Sequence, residues 1–183
     1  MNATTHAVFG VAALTGYSLL AGEAPPVYLY PAAMLASWVP DIDNPGSYLG
    51  SGLRRTKRPL LDTVTRPVSW ALRIASFTLS RIVGHRTLTH SLLGVALFVV
   101  LVSPVASLSS YLFTALVAGY VSHLVADALN TKGVPLLWPL GWRMRFLPGG
   151  VRSGGMVEFA IALAAAVTTG YGLFALYPTL GDL

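Results

Sequence analysis

Five long apolar runs dominate this chain: Thr4 to Gly22, Val27 to Pro40, Leu88 to Ser103, Leu108 to Asn130 and Met156 to Tyr177. A helix that crosses a bilayer needs about 20 mostly apolar residues, and short or tilted cases use about 17. The runs therefore predict an all-α, polytopic membrane helix bundle of about five transmembrane helices, built as a single integral membrane domain over residues 1–183. The second run is short unless it extends through the turn Glu23-Ala24-Pro25-Pro26. Breaks are expected at Pro25-Pro26, Pro40, Pro104 and the Gly/Pro-rich stretch from Gly133 to Gly155. Composition agrees, with 54% hydrophobic and only 10% charged residues, whereas soluble domains carry about 25% charged residues. A soluble fold of this size cannot bury that much apolar side chain, and disorder requires the opposite composition. The residues before the first run, Met-Asn-Ala-Thr-Thr-His, lack the basic region of a cleaved signal peptide, so the first run is read as a retained helix.

A sixth segment, Arg66 to Gly84, has a different character. Arg66, Ser69, Arg73, Ser76 and Ser80 recur at steps of three and four, with Arg81 near the same stripe. Val68, Leu72, Ile74, Phe77, Leu79 and Ile82 face largely elsewhere. That pattern predicts an amphipathic helix lying in the interface plane. With this segment kept out of the bilayer, all 12 Lys and Arg fall on one side of the membrane, including Arg54-Arg55-Thr56-Lys57-Arg58, Arg86, Lys132, Arg143, Arg145 and Arg152. The positive-inside rule makes that side cytoplasmic, with the N-terminus inside and the protein in the cytoplasmic membrane. The net charge of +5 then reports topology and attraction to anionic headgroups, and no direct nucleic-acid partner is expected.

The ionisable residues are distributed just as unevenly. His6 starts the first run, Asp41 and Asp43 follow the second, His85 and His90 open the third, His123 and Asp127 close the fourth, and Glu158 starts the fifth. All lie at the cytoplasmic ends. His123 and Asp127, four apart, share one helical face. Alone, that pair reads as an ordinary hydrogen bond, Asp41-Ile42-Asp43 as a turn, and Glu158 as an acid favouring a helix N-terminus. Gathered at one depth they point to a metal site, because clustered acids would otherwise repel one another in a low-dielectric setting. With no cysteine, thiolate sites and disulfides are excluded and any metal must sit on His, Asp or Glu. Such ligands suit Zn²⁺, and Mn²⁺ or Fe²⁺ also fit.

The chain also hints at internal repetition. Thr5-His6-Ala7-Val8-Phe9-Gly10-Val11-Ala12 aligns with Thr89-His90-Ser91-Leu92-Leu93-Gly94-Val95-Ala96, and each begins a run whose return ends in an acid. Two parallel helical hairpins follow as an expectation, with His6 paired to Asp41 and His90 to Asp127. A generic helix start with a small packing residue would give the same short match.

Thr5-His6, Pro40-Asp41-Ile42-Asp43, His85-Arg86-Thr87-Leu88-Thr89-His90-Ser91 and His123-Leu124-Val125-Ala126-Asp127 together resemble the YdjM-like family of membrane-bound, predicted metal-dependent hydrolases. The resemblance covers nearly the whole chain, and the His-Arg-x-x-Thr-His-Ser block is its most specific part. That family is remotely similar to the zinc-dependent phospholipase C and single-strand nuclease superfamily. The resemblance implies His6, Asp41, His90, His123 and Asp127 as metal ligands, with Asp43, His85 and Glu158 as further candidates. The chain has too few histidines for a three-metal site of the soluble enzymes, so two ions are expected and one remains an alternative.

On this reading the chain hydrolyses a phosphoester of a membrane lipid or lipid-linked substrate, using a metal-activated water at headgroup depth. Asp41 or Asp43, whichever is not a ligand, is the candidate base, with Asp43 and Arg86 the candidate catalytic residues. Arg86 could hold a phosphoryl group bidentately or act as a topology anchor. Arg143 and Arg145, beside Trp142, could hold a lipid headgroup; Trp138 and Trp142 also fit an interfacial belt. The rival reading is a non-enzymatic, metal-binding membrane scaffold or regulator whose basic face recruits a cytoplasmic protein partner or anionic lipid. Transport is disfavoured, because the polar residues stop at one side. No Gly-x-Ser-x-Gly elbow or Walker loop is present, and the sequence carries no signal for an oligomeric state.

Overall fold

The computed structural model describes residues 1–44, 46–47, 70–71, 73–74, 76–78, 81 and 87–178. Among these the architecture is helical, with only two isolated β-bridges, Asn130 to Val151 and Val134 to Met144. The main helices are α1 (Ala3–Ala21), α2 (Tyr30–Ala36), α3 (Leu92–Ala106), α4 (Ser110–Ala128) and α5 (Met156–Leu176). α1, α4 and α5 are long and apolar enough to cross a membrane; α3 is apolar but shorter.

Helix boundaries follow local chemistry. Asn2 caps α1 by accepting the Thr5 N–H, and Gly22, at φ 69°, closes it in the left-handed conformation that glycine adopts without steric cost. Ser91 and Ser109 cap α3 and α4 through their side-chain oxygens. Pro104, expected as a break, lies inside the last turn of α3. The Ser103 hydroxyl donates to the Val100 carbonyl at 2.8 Å, supplying a partner to the acceptor that the missing proline N–H would have served.

The second apolar run is not one continuous helix. It is a 3-10 turn over Val27–Leu29, the seven-residue α2, and a second 3-10 turn over Val39–Asp43. It still returns along the length of α1. The Tyr177 hydroxyl donates to the Pro25 carbonyl at one end, and the Trp38 indole N–H donates to the Ala3 carbonyl at the other, at 2.8 Å. Apolarity predicted the path, whereas the hydrogen-bond pattern within it is set by neighbours that a window of sequence does not see.

Those neighbours are backbones. α2 packs against both α1 and α4, and the Ala33 carbonyl is wedged between Gly10 and Gly119. A Cβ on Gly10 would lie 2.7 Å from that oxygen and a Cβ on Gly119 only 2.2 Å from it. Small residues allow such approach where lipid gives no hydrophobic drive for helices to associate. Ala33, Ala36 and Ala115 are buried, and Leu14, Leu29 and Tyr30 fill the core on the side away from the histidines.

α5 packs on α1 and exposes Met156, Phe159, Leu163, Val167, Tyr171 and Phe174, as a lipid-facing helix does. The predicted interfacial helix over 66–84 falls partly outside the described residues; 70–71, 73–74, 76–78 and 81 within it are helical. Trp70, Ile74 and Phe77 are exposed there and Ser76 is buried. The aligned Thr-His segments differ in local form, since His6 sits inside α1 while His90 ends a 3-10 turn over Leu88–His90 that precedes α3.

The wedge makes a direct test. Gly119→Val should lower the unfolding midpoint in detergent by an amount equivalent to about 1–3 kcal/mol, the usual cost of overpacking. Gly16→Ala, whose added Cβ meets nothing within 4 Å, should not; equal midpoints would remove the wedge from the packing argument.

Candidate metal centre

Each element delivers its polar side chain to one end of the bundle. His6 comes from the first turns of α1, Asp41 and Asp43 from the 3-10 turn after α2, and His90 from the turn before α3. His123 and Asp127 come from the end of α4. His6, His90, His123 and Asp127 are each at most 1% exposed, whereas the Asp41 side chain is 23% exposed and marks the cluster's open edge. Two groupings have ligand atoms close enough to share an ion: His6, His123 and Asp127, and Asp41, His90 and His123.

The hydrogen bonds around the rings decide what the cluster can hold. His123 Nδ1 lies 2.7 Å from the Ser37 carbonyl oxygen. A carbonyl only accepts, so Nδ1 carries the proton and Nε2 of the neutral ring presents a lone pair. Thr89 Oγ1 donates to Asp43 Oδ2 at 2.8 Å, so at its 3.0 Å contact with His90 Nδ1 the hydroxyl oxygen accepts. His90 Nε2 is then also a lone pair. These two nitrogens face each other at 3.1 Å, an arrangement that requires a proton or a cation between them.

Carboxylates complete the geometry. His90 Nε2 is 3.5 Å from Asp41 Oδ1 and 3.7 Å from Asp127 Oδ2. His123 Nε2 is 3.8 Å from each of the same two oxygens. A tetrahedral ion with bonds of about 2.0–2.1 Å has ligand–ligand edges of about 3.3 Å. The grouping of Asp41, His90 and His123, with separations of 3.1, 3.5 and 3.8 Å, brackets that value, and Asp127 belongs to the other grouping, with His6 and His123.

His6 adds a third ring. It stacks on His123, with centroids 3.8 Å apart and planes 12° apart, and Nε2 is 3.5 Å from Asp127 Oδ1. Neither His6 nitrogen makes a hydrogen bond although the residue is buried. A buried imidazole in that condition is costly, which fits a ligand position. The same Asp127 oxygen accepts from the Met1 amino group at 2.6 Å.

Several candidates occupy other roles in the geometry. Asp43 lies behind His90, 4.0 Å from Nδ1, on the ring edge away from Nε2. Glu158 accepts from the Asn2 and Gly154 backbone N–H groups, both at 2.6 Å, and so joins the starts of α1 and α5. The expected contact of His90 with Asp127 is present at 3.7 Å, and His6 also meets Asp127 and His90 also meets Asp41, each at 3.5 Å. His85 and Arg86 lie outside the described residues.

Arg143 and Arg145 are exposed with Trp142 on the loop after α4, lining a cleft of about 440 Å³ with Phe146, Leu147 and Pro148. The loop is fastened next to Asp127: Phe146 N donates to Ala128 O at 2.9 Å and Val151 N to Leu129 O at 2.7 Å. Sequence reasoning did not single out Ser37 or Thr89 as parts of the site. Thr89 was visible within the His-Arg-x-x-Thr-His-Ser block, whereas a backbone carbonyl such as that of Ser37 leaves no residue signature.

Comparison with known proteins adds a family. The profile of the family described as YdjM inner membrane protein matches residues 1–180. The inner membrane protein YdjM of Escherichia coli (strain K12) is 34% identical over 144 residues, 76% of this chain and 64% of that protein. This chain thus aligns with less than two thirds of that relative's length, and the Shigella flexneri protein of the same name matches equally. The uncharacterized protein YvsG of Bacillus subtilis (strain 168) is 28% identical over 180 residues, 97% of each chain. No solved structure matches.

Purified in metal-replete buffer, the protein should carry roughly one or two zinc or manganese ions per chain, and His123→Ala with Asp127→Ala should remove them. Elemental analysis of both proteins checks this, and a metal-free wild type would leave a shared proton as the occupant of the Nε2 pair.

Proposed function

Since the chain belongs to the YdjM family of inner membrane proteins, we propose that it is a membrane-embedded, metal-dependent hydrolase acting at the cytoplasmic face on a phosphoester of a membrane lipid or lipid-linked substrate. The observation that carries the reading is the convergence of the His90 and His123 Nε2 atoms, 3.1 Å apart, with the Asp41 and Asp127 carboxylates. The burial gradient supports catalysis over a closed site. His90, His123 and Asp127 are sealed in the bundle and would hold the ion from its inner side. Asp41, 23% exposed, lies on the side from which a substrate would enter. Each grouping close enough to share an ion has three residues, which would leave a fourth coordination position for water, as catalytic zinc sites do and fully protein-coordinated structural sites do not.

The chemistry supplied by a divalent ion there is activation of water and stabilisation of the phosphoryl oxygens during in-line displacement. The chain's own residues do the remainder. Asp41 orients the attacking water at the open edge. Helices α1 and α4 exclude bulk water from the inner side, where His6 and His123 are buried, and low local dielectric strengthens each electrostatic contact. Arg143 and Arg145, on the loop fastened beside Asp127, hold the substrate's anionic headgroup, with Arg86 as a further phosphate clamp. The exposed Trp142 and Leu140, each 65% exposed, seat that loop at the lipid interface.

A second reading has its own observation. The cluster end also joins α1 to α5 through Asn2 and Glu158 and α1 to the α2 segment through Trp38, as a metal-tied scaffold recruiting a cytoplasmic partner would require. Turnover separates the two. Asp127→Asn should reduce phosphoester hydrolysis in lipid vesicles by at least about 100-fold, the scale of losing a metal-site contribution, while membrane insertion persists. Arg143→Gln with Arg145→Gln should chiefly raise KM. Wild-type protein that binds metal yet turns over no phosphorylated lipid would favour the scaffold.

A further inference from the structure

We propose that Thr89 is a positioning residue of the cluster: its hydroxyl, oriented by Asp43, fixes His90 in the tautomer that turns Nε2 toward His123, Asp41 and Asp127. The inference rests on the metal reading for its purpose, but its geometry stands separately. A neutral imidazole has two tautomers, and the partner at one nitrogen decides which nitrogen presents a lone pair. A hydroxyl alone does not make that choice, because it can donate or accept. Asp43 makes it. Its Oδ2 takes the Thr89 proton at 2.8 Å, leaving Oγ1 as acceptor for His90 Nδ1 at 3.0 Å.

The backbone under Thr89 is fixed as firmly as its side chain. The Tyr120 hydroxyl donates to the Thr89 carbonyl at 2.6 Å, and the Tyr120 ring stacks on Phe98 at 4.4 Å, so α3 and α4 both bear on the turn. Leu92 N donates to Leu136 O at 2.9 Å, fastening the start of α3 to the long loop. Gly94 admits the turn closely, since a Cβ there would lie 2.2 Å from the Leu88 carbonyl oxygen. Thr89 therefore has little freedom to turn its hydroxyl elsewhere. Asp43, on this account, also positions His90 and is not the base.

The experiment uses full-length protein in detergent with ¹⁵N-labelled histidine, first metal-free at about pH 8.5. Wild type should show His90 protonated on Nδ1, assigned by its loss in His90→Gln. Thr89→Val should convert that signal to a tautomer mixture, and Thr89→Ser should restore it. Zinc affinity should fall by about 10–100-fold in Thr89→Val and recover in Thr89→Ser, the usual range for losing a partner of a ligating histidine. A folded Thr89→Val or Thr89→Ala protein that keeps the Nδ1–H tautomer and wild-type affinity would overturn the proposal. Should wild type bind no zinc, the metal reading falls, and the metal-free spectrum still decides the role of Thr89.

Discussion

Two imidazole lone pairs aimed at one point cannot remain there unaided, and the arrangement of this bundle follows from that constraint. Inside lipid, polar groups are costly unless they find partners within the protein. Here they are gathered at one end, and α1, α4, the turn before α3 and the turn after α2 each contribute a member. His123 is turned by the Ser37 carbonyl and His90 by Thr89. The alternation of helices is the means by which distant sequence positions reach a common depth.

The opposite end is organised differently. Tyr177 meets Tyr30 edge-on, with ring centroids 6.4 Å apart, and its hydroxyl closes on the Pro25 carbonyl. Between the two ends the wedge at Ala33 holds α1, α2 and α4 at backbone contact. Since His123 is one turn beyond Gly119 and Ser37 one turn beyond Ala33, the close approach that packs the helices also sets the contact between the His123 ring and the Ser37 carbonyl.

Much of this was readable from residue types. The apolar runs that became α1, α4 and α5 carry their own length signal, and the depth of His6, Asp41, His90, His123 and Asp127 followed from where each run begins or ends. The interior of the second run was not readable, because its 3-10 turns depend on what packs against Ala33 and Ser37. Nor were the additional contacts of His6 with Asp127 and His90 with Asp41. An aligned Thr-His motif gives order along the chain, whereas the pairing depends on how the hairpins lean. Glu158 carried two readings in sequence, and its contacts with Asn2 and Gly154 place it at a junction of helix starts.

The Ser37 contact has a consequence for how such a site tolerates change. The acceptor that orients His123 belongs to the main chain, so it is supplied by whatever residue stands at position 37. A substitution scan would record sensitivity there through the bulk of the new side chain, since Ser37 is fully buried, and through loss of the hydroxyl's bond to the Met34 carbonyl, but never through the acceptor itself. One determinant of the centre is thus invisible to comparisons of residue identity and is inherited through the path of the backbone.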